Sequence, residues 1–148
     1  MRRINLLPFL VALPLFLAAG RPATQPVSPP GAIHLPDGYH HEPRQGIDST
    51  VGRIWKDGGL EIQYDIGALA GNYAQHIEHS DRLWSMKQVV NGRTVDIVKG
   101  KDGRVVVSFA ADDRTIGENY PANFWATVSS DEDLAALLAI ALTYPVAR

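Results

Sequence analysis

Cysteine is absent from all 148 residues, which excludes a disulfide framework, a Cys-ligated zinc site and a thiol nucleophile. An excess of one charge is lacking too: 14 Lys and Arg stand against 16 Asp and Glu, so no electrostatic footprint for nucleic acid is present. Also missing are the short signatures of common catalytic machinery, among them G-x-S-x-G, H-E-x-x-H, the Walker loop, G-x-G-x-x-G and S-x-x-K. What remains, 45% hydrophobic and 20% charged residues, is the composition of one globular domain.

The first twenty residues read as a secretory signal peptide. Arg2 and Arg3 form a basic start, Ile4 to Ala19 is apolar apart from Asn5, Pro8 and Pro14, and Ala18-Ala19-Gly20 offers the small side chains a signal peptidase requires. This predicts an exported chain, periplasmic or extracellular. The stretch falls short of the roughly 20 apolar residues of a spanning helix, so no stable membrane insertion is expected after cleavage. No cysteine follows it to carry a lipid. Without Arg2 and Arg3 the chain holds 12 basic against 16 acidic residues, a mildly acidic balance with no attraction for phosphate backbones or anionic lipid. Residues 21–37, with Pro22, Pro26, Pro29, Pro30 and Pro36, read as a semi-rigid Pro-rich linker, and residues 38–148 as a single domain.

Within that domain, turn dipeptides between alternating segments predict hairpins. Asp57-Gly58, taken as a two-residue turn, sets Trp55 against Leu60, Arg53 against Ile62 and Val51 against Tyr64. One face would then carry Ile47, Val51, Trp55, Leu60, Ile62, Tyr64 and Ile66, with Arg53 on the same side, and the other would carry Asp48, Thr50, Glu61, Gln63 and Asp65 around Ile54. A second hairpin turns at Asn91-Gly92, pairing Met86 with Ile97, Lys87 with Asp96 and Gln88 with Val95. A three-residue loop at Lys101-Asp102-Gly103 pairs Ile97 with Val107 and Val95 with Phe109. A sixth strand alternates through Phe124, Ala126 and Val128. Ser130 with Asp133 forms a capping box for a helix to about Leu142, whose Leu134, Leu137, Leu138, Ala141 and Leu142 share one face. The fold class is therefore α+β: an antiparallel meander sheet of about six strands with one C-terminal helix on its core face, or alternatively a small β-barrel plugged by the helix.

Candidate chemistry lies in the loops and on the polar face. His40 and His41 at the domain entrance, and His76 and His79 in the long connection from Gly67 to Arg82, could bind a divalent metal if completed by Asp48, Asp65 or Asp81. The register places Asp48 and Asp65 diagonally on one face, a spacing at which carboxylates flank a scissile bond or share a cation. The small residues from Gly67 to Ala74 permit close approach of a ligand or another backbone beside Tyr73. Trp125, on the face opposite Phe124, is a stacking platform for sugars or peptides if that face is solvated and part of the core if a second layer covers it.

Taken together, these features point to a non-enzymatic module of the cell envelope. It would bind an envelope protein or small ligand through the loops Gly67 to Arg82 and Ala111 to Pro121 and the adjoining polar sheet face, with Asp48, Asp65, Tyr73 and Trp125 as contacts and no cofactor. The alternative is a small metal-assisted hydrolase using the loop histidines and an Asp.

Overall fold

The computed structural model describes residues 33–111 and 120–144. The expected signal peptide, most of the Pro-rich segment and residues 112–119 of the second long loop lie outside the described residues. Seven strands form one antiparallel sheet: β1 (Tyr39–Gln45), β2 (Thr50–Lys56), β3 (Glu61–Ile66), β4 (Arg82–Val90), β5 (Arg93–Gly100), β6 (Arg104–Phe109) and β7 (Ala122–Thr127). Among the described residues one α-helix, α1 (Asp131–Ala141), follows. The spatial order is β1-β2-β3-β7-β6-β5-β4. Two meanders are thus joined by the pairing of β3 with β7, and β1 and β4 are left as edges: the sheet is open, not a barrel.

One face of the sheet and the helix enclose the core. Ile54, Ile62, Tyr64, Val95, Val107, Phe109 and Phe124 are buried there with Leu137, Ile140 and Ala141 of α1. Ile33 joins the same core and Leu35 packs against it, so the packed unit includes residues at the end of the Pro-rich segment. Ser130 caps α1 by accepting from the Asp133 amide, while the Asp133 carboxylate accepts from the amide and hydroxyl of Ser129, one residue before the cap. Hydrogen bonds from the Ser129 hydroxyl and amide hold that carboxyl below its ordinary range.

The second hairpin forms in the expected register. Asn91 and Gly92 both take positive φ, Met86 opposes Ile97, and Lys87 opposes Asp96 with 3.4 Å between their charged groups. The three-residue loop ending at Gly103 also forms, pairing Val95 with Phe109.

The first hairpin differs by one residue. Its loop is Asp57-Gly58-Gly59, closed by the Lys56 amide donating to the Leu60 carbonyl, with Gly58 in the left-handed region. Ile54 therefore opposes Ile62, and Arg53 opposes Gln63. A slip of one residue exchanges the faces of the whole strand. Ile54 is in the core, whereas Val51, Arg53 and Trp55 stand on the outer face and Ile47 is fully exposed. Outside the core, Arg53 bonds Glu42 and Glu61 and lies 4.6 Å over the Trp55 ring.

A strand beyond those expected, β1, contains His40 and His41, which do not lie in an entrance loop. Pro43 and the charges of Glu42 and Arg44 sit on this edge, where a missing N–H and charged side chains discourage further strand pairing.

Candidate ligand-binding face

The strand registers set the outer face in rows. One crosses the sheet as His40, Trp55, Glu61, Thr127 and Arg104; the next as Glu42, Arg53, Gln63, Trp125, Val106, Val98 and Ser85; a third includes Asp65, Asn123, Ser108, Asp96 and Lys87. The third row is polar in sequence, yet Asp65, Asn123 and Ser108 are buried. What buries them is the connection from Gly67 to Asp81, which returns across the outer face through 3-10 turns at Tyr73–His76 and His79–Asp81.

That connection is fastened by the row it covers. Asn123 Oδ1 accepts from the Tyr73 amide at 3.0 Å and from Ser108 Oγ at 2.7 Å, and its Nδ2 donates to the carbonyls of Ala70 and Gly71. Ser108 Oγ accepts from the Ala74 amide, Asn72 Nδ2 donates to Asp96, and Tyr73 Oη donates to Asp65 Oδ2 at 2.5 Å. A small apolar cluster of Ala74, Val98 and Val106, flanked by Tyr73, Ile77 and Trp125, completes the contact. The carboxylate acceptor, with burial adding to it, pushes the Tyr73 phenol up to about 12, so at neutral pH this group is a proton donor and not a base.

Beside the covered row the face is open. Glu61, Gln63, Trp125, Thr127 and Arg104 line a groove of about 510 Å³. It shares Trp125 and Arg104 with a depression of about 250 Å³ bounded by Tyr73, His76 and Ile77. Trp125 is half-buried, its ring centroid 5.4 Å from that of Tyr73, which stacks in turn on His76 at 5.6 Å. Three rings thus form a wall rimmed by a guanidinium, an amide and a carboxylate. The two sequence alternatives for Trp125 are both partly realised: the connection covers one side of the ring, and the groove opens on the other.

The expected histidine constellation does not assemble. Successive strand residues face opposite ways, so His40 lies against Trp55 and 3.7 Å from Asp57, while His41 lies on the helix side, joined to Tyr64 Oη by a 2.7 Å hydrogen bond. His76 is engaged with Tyr73, and no group of three or more His, Asp or Glu able to hold a metal ion occurs among the described residues. Nor do Asp48 and Asp65 form the diagonal pair. Asp48 lies in the exposed turn before β2, and Asp65 opposes Val51 from a buried position. Tyr73 and Trp125 are brought together; Arg104, Gln63 and His76 complete their surface without having been marked by any motif.

No family model, no curated protein and no solved structure matches the chain. No helix among the described residues is long and apolar enough to cross a membrane.

Proposed function

We propose that the protein is an exported, non-enzymatic binding module of the cell envelope that takes a glycan or similar polar-edged ligand in the Trp125 groove. The observation that carries this reading is the half-buried Trp125 ring flanked by Tyr73 and His76 and rimmed by Arg104, Gln63 and Glu61. A sugar ring offers an apolar face to an aromatic wall and hydroxyls to amide, carboxylate and guanidinium groups at its edge. Such a wall needs little rearrangement to bind, because the connection supplying Tyr73 and His76 is bonded to the sheet at several points. Export rests on Arg2, Arg3, the apolar stretch to Ala19 and the small residues at Ala18-Ala19-Gly20. The metal-assisted hydrolase has no converging ligand set among the described residues to support it.

Isothermal titration of the purified protein with chitooligosaccharides and soluble peptidoglycan fragments tests the proposal. Binding that weakens roughly tenfold in Trp125→Ala, the effect of losing about 1.4 kcal/mol of ring contact, is the expected result. Absence of binding to either glycan, or binding indifferent to Trp125→Ala, overturns it.

A further inference from the structure

The two edges of the sheet are built differently. β1 carries Pro43 and flanking charges, whereas β4 spans nine residues with no proline and, from Leu83 to Val90, a single charge at Lys87. In an antiparallel ladder half of an edge strand's N–H and C=O groups point away from its neighbour, and among the described residues β4 pairs with β5 alone. β4 also exposes large apolar side chains along this edge: Leu83 is 61% exposed, Met86 42% and Val89 72%. A long edge of this kind, without proline and with one charge in its eight residues from Leu83 to Val90, is a template for another strand.

We infer that β4 pairs with β4 of a second copy of this chain, antiparallel about a two-fold axis at Met86. The side-chain pattern selects that partner and that register. With the axis perpendicular to the sheet, both helices stay on one side and only residues of like face oppose each other. Centred on Lys87, the pairing would set two ammonium groups against each other; centred on Ser85, it would set Lys87 against Leu83. Centred on Met86, it sets Met86 against Met86, Leu83 against Val89, Trp84 against Gln88 and Lys87 against Ser85. Apolar side chains then meet apolar ones, and the lone charge meets a hydroxyl. The two seven-stranded sheets become one continuous sheet. Leu83 is the extra residue of the bulge between Arg82 and Trp84, so regular pairing runs from Trp84 to Gln88 and the contact of Leu83 with Val89 lies at its end.

Light scattering coupled to size-exclusion chromatography, over a dilution series from roughly 1 mM to 1 μM, tests the pairing and its register. Ser85 is exposed, so substitution there leaves the fold intact. The wild type is expected to dimerise. Ser85→Lys, facing Lys87 of the other copy, should weaken the dimer at least tenfold, and Ser85→Glu should tighten it. A wild type that stays monomeric throughout the series overturns the inference. So does a dimer whose dissociation is the same in Ser85→Lys and Ser85→Glu, because it would use another surface.

Discussion

Tyr73 donates its phenolic proton to Asp65, joining the start of the first 3-10 turn to the last part of β3 across a 2.5 Å contact. The other carboxylate oxygen, Oδ1, is buried and has no hydrogen-bond partner. Tyr73→Phe would therefore leave both oxygens of a buried carboxylate unsatisfied, and the expected loss is about 2 kcal/mol of unfolding free energy. Urea denaturation at neutral pH measures it; a loss below about 0.5 kcal/mol, the scale of an ordinary surface substitution, would show that the bond contributes little.

Alkaline pH should expose the same bond from the other side. Tyr73 is pushed up to about 12 by Asp65 and burial, and Tyr64 to about 12 by burial, against 10.0 for an unperturbed phenol. A raised folded value means that the stabilisation is complete below pH 10 and is lost as pH rises toward and through 12. The stability gap between wild type and Tyr73→Phe should accordingly be constant from pH 7 to 9 and shrink above pH 10. Parallel urea titrations at stepped pH show whether it does; a gap that widens above pH 10 contradicts the assignment.

Much of the scaffold was legible because local signals agreed with one another. At Asn91-Gly92 the turn dipeptide, the alternation of β5 and the Lys87 to Asp96 cross-strand pair all specify one register, and that register forms. At Asp57-Gly58 a second glycine, Gly59, permits a loop one residue longer, and the alternation had to decide between the two. Its warning was Ile54, which the shorter loop stranded among polar residues while placing Arg53 in the core; the structure resolves both faults together. The site was less legible. Asp65, Asn123 and Ser108 have the pattern of a solvated face, and only the return of a chain segment distant in sequence turns them into buried anchors. Arg104 and Gln63 become neighbours of Trp125 through the pairing of β7 with both β3 and β6, a strand order that local periodicity does not encode.

The corrected face of β2 makes a direct prediction. Ile54 is fully buried, so Ile54→Ala should cost about 2–5 kcal/mol through lost burial and the cavity left behind. Ile47→Ala, at a fully exposed position, should stay within about 0.5 kcal/mol of wild type. Chemical denaturation of the two variants decides which register the hairpin adopts in solution, because the shorter loop makes Ile47 the core residue and Ile54 the exposed one.

Asn123 holds the connection at three backbone positions and also receives the Ser108 hydroxyl. Asn123→Leu would leave the Tyr73 amide and the Ala70 and Gly71 carbonyls without this partner, at an expected cost of about 3 kcal/mol. The loss should be localised. Hydrogen exchange at the amides of Tyr73 and Ala74 is expected to accelerate while that of β2 and β3 keeps its order of protection. Equal acceleration across the sheet would mean that the connection and the sheet open only together.

Gly52 and Tyr64 offer the sharpest steric test, since they oppose each other across β2 and β3 with the phenol folded over the glycine. A Cβ at position 52 would run into Tyr64 Oη and lie 2.6 Å from both Tyr64 Cζ and the Glu42 carbonyl oxygen. Neither neighbour moves freely, because the hydroxyl is bonded to His41 and the carbonyl belongs to the β1 backbone. Gly52→Ala should therefore destabilise by more than about 2 kcal/mol through overpacking. Shortening the side chain removes both the hydroxyl and Cζ from the Cβ position, so Gly52→Ala should be less harmful by about 1 kcal/mol when made in Tyr64→Leu than in the wild type, a coupling that a double-mutant cycle measures. Additive effects would place the strain on the Glu42 carbonyl alone, and β1, not the phenol, would then be the element that demands glycine at this position.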